Sequence, residues 1–266
     1  MKIYYVANAR MPTEKAHGIQ LAKMCEAMIE GGAEVELVLP RRKNSEKTLK
    51  EFYHLRLDIP VIKLPVIDWY DWGRFGFWIS SCSFAFYYLR YLRSRQVGAP
   101  AAVYTTDLDQ FSFCLIPFTG LPYFAEIHDA KPPGFLFSLL FRRAQGIVVI
   151  NDLIKEKICR AFAIAPDKII VHPNGVDLLQ FDGVSSKEEA RHRYDLPQDR
   201  SIVLYAGKCY PWKGLEILRE TAFLTPQIYF CFVGATRDEF TRATARNSLP
   251  SNLVFTRERS YHEMPH

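Results

Sequence analysis

The chain has 266 residues, an apolar fraction of 48% and a net charge of +5 from 34 Lys and Arg against 29 Asp and Glu. This length accommodates two domains of ordinary size, and the composition excludes an intrinsically disordered or fibrous chain. The modest positive balance favours anionic ligands and acidic membrane surfaces but lacks the dense basic stripe of a nucleic-acid binder, so no nucleic-acid partner is expected.

The sequence opens on a strand pattern, Lys2 to Ala7, with no charged segment leading into an apolar run and a cleavage site, which predicts a cytoplasmic protein. A loop, Asn8 to His17, leads to Gly18 and a helical pattern from Ile19 to Glu30. There Leu21, Met24, Cys25 and Met28 recur at helical spacing, and the pattern stops at Gly31-Gly32. Short β-branched or aromatic runs follow near Glu34 to Pro40, Val61 to Leu64, Ala102 to Thr105, Tyr123 to Ile127, Gly146 to Ile150 and Ile169 to His172. Their alternation with helical patterns predicts a parallel sheet with helices on both faces. Asn151 is a good N-cap for a helix that begins at Asp152.

Phe75 to Arg95 is apolar and aromatic for most of its length and then turns basic. Arg90 cuts the uncharged run short of the about 20 residues that a membrane-spanning helix needs, so a helix packed inside a domain is expected. Shallow contact with an anionic bilayer through the aromatic residues and Arg90, Arg93 and Arg95 stays open as a peripheral membrane association.

Pro173-Asn174-Gly175-Val176-Asp177 and the residues to about 185 lose the periodicity and carry turn dipeptides. The predicted organisation is therefore a first Rossmann-like domain over 1–172, a linker over 173–185 and a second α/β domain over 186–266. Strands of the second are expected at Ile202 to Ala206, Ile228 to Val233 and Leu253 to Phe255, with helices starting near Gly214 and Asp238. An open parallel sheet ordinarily has about five or six strands, so the second domain is expected to be incomplete. The six cysteines show no Cys-x-x-Cys and no paired spacing, which predicts reduced thiols and neither a disulfide framework nor a zinc site.

Chemistry concentrates at the segment Gly207-Lys208-Cys209-Tyr210-Pro211-Trp212-Lys213-Gly214, which sets two cations five residues apart on a turn between a strand and a helical pattern. Free amide N–H groups at a helix start and lysine charges attract the same anion, and a diphosphate suits both. His128 follows the strand Tyr123 to Ile127, at the sheet edge where α/β folds bind ligands. A ligand contact and a plain bond to a neighbouring carbonyl are both open readings for it. Asp129 either orients it or caps the next turn. Asp107-Leu108-Asp109 has a metal-holding spacing but is read as a helix cap, and Glu126 and Asp107 are open between acceptor contact and a capping or ion-pair role.

These features together resemble family 4 of the retaining glycosyltransferases, which have two facing Rossmann-like domains of the GT-B type. The resemblance rests on Pro173 to Asp177, the Gly207-Lys208 to Lys213-Gly214 turn, Gly18 before a helix, Glu126-Ile127-His128-Asp129 after a strand, and Gly146 to Asn151 running into a helix. It implies an acceptor-side first domain and a donor-side second domain, with a nucleotide-diphosphate sugar between them and no metal or other cofactor. Lys208 stands where the family has arginine, and with Lys213 it would neutralise the donor diphosphate. His128 would lie near the donor sugar as the catalytic-site residue, Gly18 across from the donor phosphates, Gly234 beside the nucleotide, and Thr256 and Arg257 at the base. The acceptor, saccharide or lipid-linked, would be chosen by first-domain loops such as 41–45 and 69–78, with Lys15 and His17 as loop residues within its reach. The family's two glutamates separated by seven residues are not found before His266. A truncated, non-catalytic nucleotide- or partner-binding module is therefore the alternative expectation, and an epimerase-type or phosphorylase-type relative a third.

Overall fold

In a computed structural model, which describes residues 1–42, 47–95, 100–259 and 263–264, the β-branched and aromatic runs pair as parallel strands. The chain divides into two compact units, 1–175 and 176–266. The first holds β1 (Lys2–Val6), β2 (Glu34–Pro40), β3 (Val61–Leu64), β4 (Ala101–Thr106), β5 (Tyr123–Ile127), β6 (Gly146–Val149) and β7 (Ile169–Val171), in the order β3-β2-β1-β4-β5-β6-β7. Every pairing is parallel, so all seven carboxyl ends lie at one edge, and the order reverses direction between β1 and β4.

Side chains alternate across the sheet and feed two cores. From β1, Tyr4 and Val6 enter the core built with α3 (Gly73–Arg93), α4 (Phe135–Arg143) and α5 (Asp152–Phe162), where Phe84, Tyr88, Phe137, Phe141 and Ile158 are buried. Tyr5 and Ala7 enter the other core, with Leu21, Ala22 and Cys25 of α1 (Ala16–Glu30) and Leu49 and Tyr53 of α2 (Leu49–Tyr53). Each fully buried Leu or Phe contributes about 1.5–3 kcal/mol. Asn151 caps α5 as its sequence predicts, with Oδ1 accepting from the Ile154 amide at 2.9 Å. Helices α2 and α4 were not legible in the sequence. The short α2 is set by a capping box in which Thr48 and Glu51 exchange hydrogen bonds.

The aromatic segment is α3, packed in the first unit through Ser80, Ser81, Phe84, Ala85, Tyr88 and Leu92. Among the described residues no helix is long and apolar enough to cross a membrane. The loop ahead of α3 folds back along its first turns. Ser80 Oγ accepts from Trp69 N at 3.0 Å and donates to Ile67 O at 2.6 Å, and Ser83 Oγ accepts from Ile67 N at 3.0 Å. Gly76 makes this approach feasible, because a Cβ there would fall 1.8 Å from the Trp69 carbonyl oxygen.

In the second unit β8 (Ile202–Ala206), β9 (Tyr229–Val233) and β10 (Leu253–Thr256) are parallel in the order β10-β9-β8. With them go α6 (Lys187–Arg193), α7 (Leu215–Leu224) and α8 (Arg237–Thr244). Leu215, Phe230, Phe232, Phe240 and Leu253 form its core. Buried Asn252 holds α7 at its far end, with Nδ2 within reach of the Ala222, Thr225 and Ile228 carbonyls at 3.0, 3.0 and 2.8 Å. Both units have the α/β, Rossmann-like arrangement that the sequence predicts.

The Gly76 contact is checkable. Gly76→Ala should cost about 2–3 kcal/mol in urea unfolding, because backbone must move to admit the methyl group. Gly31→Ala, whose Cβ would stand an ordinary 3.4 Å from the nearest atom, is the matched control and should stay within about 0.5 kcal/mol.

Candidate functional site

The reversal of strand order opens a cavity of about 220 Å³ in the first unit. Ala7, Asn8 and Ala9 after β1, Thr106 at the end of β4 with Asp107 and Asp109 after it, and His17, Gln20 and Leu21 of α1 line it. This is where adjacent chain segments diverge in opposite directions, so the crevice is a consequence of topology.

A hydrogen-bonded cluster sits beside it. In the parallel register Thr106 stands opposite Glu126 and Tyr104 opposite Phe124, so Tyr104 lies one diagonal from Glu126 on the same face. The buried Glu126 carboxylate accepts from Tyr104 OH at 2.7 Å and from His128 Nε2 at 2.7 Å. Asp107 holds the other side of the ring. Its Oδ1 accepts the His128 backbone N–H at 3.1 Å, and its Oδ2 lies 3.6 Å from Nδ1. Asp107 adopts φ +51°, a left-handed conformation that aspartate tolerates better than most residues. Gln20 Nε2 donates to Asn174 Oδ1 at 3.1 Å and lies 3.4 Å from Glu126 Oε1, which ties the Pro173-Asn174-Gly175 turn to the same cluster.

The electrostatics follow from these contacts. The hydrogen bond to Glu126 raises the His128 pKa above its ordinary 6.5, outweighing burial, with Asp107 adding to the rise. Burial pushes the Glu126 carboxyl up, but hydrogen bonds from His128 and Tyr104 outweigh it and hold the pKa below 4.5. His17 is held below 6.5 by loss of solvation and then by the Lys15 charge.

The structure resolves several of the alternatives that the sequence left open. Glu126 and Asp107 hold His128. Asp129 pairs instead with Lys131 at 3.7 Å. Asp107 caps no helix, and Asp109 caps a turn by accepting the Phe111 and Ser112 amides at 3.0 and 2.8 Å. Gly18 lies inside α1 rather than ahead of it, and its need for glycine has an internal cause. A Cβ would fall 2.4 Å from Tyr53 Oη, a hydroxyl fixed between the Thr13 amide and carbonyl at 2.7 and 2.9 Å. Tyr104 and Gln20 were missed. The signal for a partner was present, because a glutamate in the strand Tyr-Phe-Ala-Glu-Ile is buried and needs compensating donors.

A second cavity of about 750 Å³ in this unit is lined by Asn8, Ala9, Arg10, Thr13, Lys15, His17, Arg41, Arg42, Asp68 and Asp71. Of the expected acceptor loop 41–45, residues 43–45 lie outside the described residues; Arg41 and Arg42 face this cavity.

In the second unit the carboxyl edge collects the remaining residues. Gly207 and Gly214, at φ +139° and +70°, bound the turn after β8. Tyr205 OH donates to the Lys208 carbonyl at 2.9 Å and pins its first half. Lys213 Nζ lies 3.9 Å from where a Gly207 Cβ would be, and a Gly234 Cβ would lie 3.8 Å from the Gly207 carbonyl oxygen, so Gly207, Lys213 and Gly234 are neighbours. Arg257 follows β10 at the same edge, and the next residue, Glu258, stands 3.9 Å from Lys208 Nζ. Both side chains of that pair are largely exposed, so it is worth under about 1 kcal/mol and leaves the lysine free to change partner. No side chain caps α7. Its first-turn amides therefore lack a side-chain acceptor, and Lys208 and Lys213 lie on the turn that leads into them.

No family model matches the chain. Over 82 residues it is 30% identical to the D-inositol 3-phosphate glycosyltransferase of Kineococcus radiotolerans, a match that takes in 30% of this chain and only 19% of that protein. Among solved structures, a glycosyltransferase from Rickettsia africae is similar over 99% of this chain and 70% of its own, with TM-score 0.70 and 17% identity. Anabaena HepE, solved with UDP and glucose, is similar over 100% of this chain and 71% of its own, with TM-score 0.67 and 18% identity. These likenesses show the fold, α/β with Rossmann-like units of the GT-B glycosyltransferase type.

The Glu126 and His128 contacts set a pH dependence. His128, with its raised pKa, contributes stability that is complete below 6.5 and lost as pH rises through the raised value. Glu126, with its lowered pKa, contributes above 4.5 and loses it as pH falls. The pair is thus fully effective between about pH 4.5 and 6.5. Glu126→Gln should bring the His128 pKa, read by NMR of the imidazole, below 6.5, because burial persists without the carboxylate. The stability cost should be about 1–3 kcal/mol near pH 6 and smaller at pH 9. An unchanged His128 titration would refute the pairing.

Proposed function

We propose that the protein is a glycosyltransferase that uses a nucleotide-diphosphate sugar, with the second unit taking the donor and the first the acceptor. The observation that carries this reading is the turn from Gly207 to Gly214, where two exposed lysines and an uncapped helix start gather at a sheet edge. The partial likeness to a D-inositol 3-phosphate glycosyltransferase and the neighbours solved with UDP or UDP-glucose support it.

Cleaving the sugar from its diphosphate builds positive charge on the ring and negative charge on the leaving group. Lys208, Lys213 and the α7 amides would stabilise that leaving group without reorganisation, which is how fixed charges lower a barrier. One cation about 4 Å from a phosphate oxygen is worth roughly 4 kcal/mol at an effective dielectric of about 20, before desolvation. Gly234 would lie beside the nucleotide, and Arg257 would serve the base. In the first unit His128, held by Glu126 and Asp107 with its pKa raised, is the residue we assign to the donor sugar. Retention of configuration is part of the proposal, from the likeness of these motifs to family 4.

Melting-temperature shifts with UDP, GDP and ADP should pick out one nucleotide, since a ligand that binds only the folded state stabilises it by about 2.7 kcal/mol at 100 times its Kd. Lys213→Ala should weaken that nucleotide diphosphate about tenfold, or about 1.4 kcal/mol. Lys208→Arg should tighten it severalfold, because guanidinium meets phosphate through two parallel N–H donors. Undiminished affinity in Lys213→Ala would remove the turn from the site.

A further inference from the structure

The first unit carries an exposed aromatic array that its own core does not use. Trp69 and Trp72 stack with centroids 5.0 Å apart, Phe75 and Trp78 lie 6.3 Å apart, and Ile67 precedes them, all five being exposed. All five lie within residues 67–78, where the loop is bonded to α3 through Ser80 and Ser83 and packs against Gly76. Such a concentration of exposed large apolar side chains on a folded unit marks an interaction surface. Tryptophan is the side chain best suited to a membrane interface, with an apolar body and a polar N–H.

The same loop forms a wall of the larger cavity. Asp68 and Asp71, flanking Trp69, line it opposite Arg10, Lys15, Arg41 and Arg42. Asp68 is engaged by Arg42 at 3.4 Å, and Arg42 also donates to Asn8 Oδ1 at 2.9 Å. Arg10 and Lys15 make no ion pair among the described residues, so the cavity holds an excess of positive charge, and the loop that forms one of its walls also carries Trp69 and Trp72. The basic end of α3 is a separate feature. Arg90 lies fifteen residues from Phe75, roughly 22 Å along the helix, so it does not belong to this rim.

We propose that the rim of Trp69, Trp72, Phe75 and Trp78 seats the protein on an anionic bilayer and that the adjoining basic cavity receives the phosphate-bearing headgroup of a lipid acceptor. The headgroup's role as acceptor rests on the glycosyltransferase reading above, whereas docking on the bilayer does not. Charge complementarity selects the occupant, since an anionic headgroup matches a cavity in which four cations outnumber two carboxylates.

Three of the four tryptophans lie in the rim, so intrinsic fluorescence reports on it directly. Wild-type protein should sediment with vesicles of phosphatidylcholine mixed with phosphatidylglycerol, shift its emission to the blue, and bind phosphatidylcholine alone far less. Trp72→Ala with Trp78→Ala should lose at least about tenfold in vesicle affinity while keeping its melting temperature. Arg10→Ala with Arg41→Ala should lose the preference for anionic vesicles. Absence of wild-type sedimentation, or sedimentation indifferent to the tryptophans, overturns the proposal. Binding of inorganic phosphate at the cavity without vesicle binding also overturns it, in favour of a soluble anion. UDP-induced melting shifts on the same samples separate the two readings. A retained shift without vesicle binding leaves the glycosyltransferase reading standing. Vesicle binding without any nucleotide shift supports the docking and overturns the headgroup's role as acceptor.

Discussion

A parallel sheet gathers every strand's carboxyl end, and every following helix's amino end, on one edge, and the candidate residues of this protein depend on that constraint. In the first unit the edge is split by the reversal between β1 and β4. The loop after β1 and the loop after β4 diverge there, which leaves a cavity between them. In the second unit three strand ends bring Gly207, Gly234 and Arg257 to one edge. Neither arrangement needs long-range design of individual contacts, because strand direction alone brings distant parts of the sequence together.

Within that frame the cost of a buried carboxylate organises the first-unit site. Glu126 lies where burial disfavours charge, and it stays ionised because Tyr104 and His128 donate to it. Compensation runs outward from there. A charged His128 needs Asp107, Asp107 takes a left-handed backbone to receive the His128 amide, and Lys131 stands 3.9 Å from the Asp107 carboxylate. The result is an imidazole held through both ring nitrogens at a sheet edge, with its pKa raised.

The sequence carried the fold almost entirely, for identifiable reasons. Parallel strands buried on both faces read as short Val, Ile, Tyr and Phe runs, and Gly31-Gly32, Asn151 and Gly214 punctuate helices by mechanisms visible in a single residue. The short α2 and α6 were illegible because capping boxes, not periodicity, define them. Of the site, Lys208, Lys213 and His128 could be found from strand ends. Tyr104 and Gln20 could not, since their roles depend on register between β4 and β5 and on the position of α1 above them. Gly18 shows the opposite limit. A glycine at the start of α1 reads as room for a ligand, yet the space it leaves is filled by Tyr53 from α2, whose hydroxyl also bonds Thr13.

The exposure of the aromatic rim is itself a product of packing. A loop with two tryptophans would ordinarily fold them inward, since burial of each large side chain gains about 1.5–3 kcal/mol. Here Ser80 and Ser83 of α3 bond the loop backbone at Ile67 and Trp69, and Gly76 lets the chain lie against the helix so closely that the indoles have no room beneath them. The tryptophans stack on each other instead. Two serines and one glycine thus hold apolar area in solvent at a fixed place beside a basic cavity.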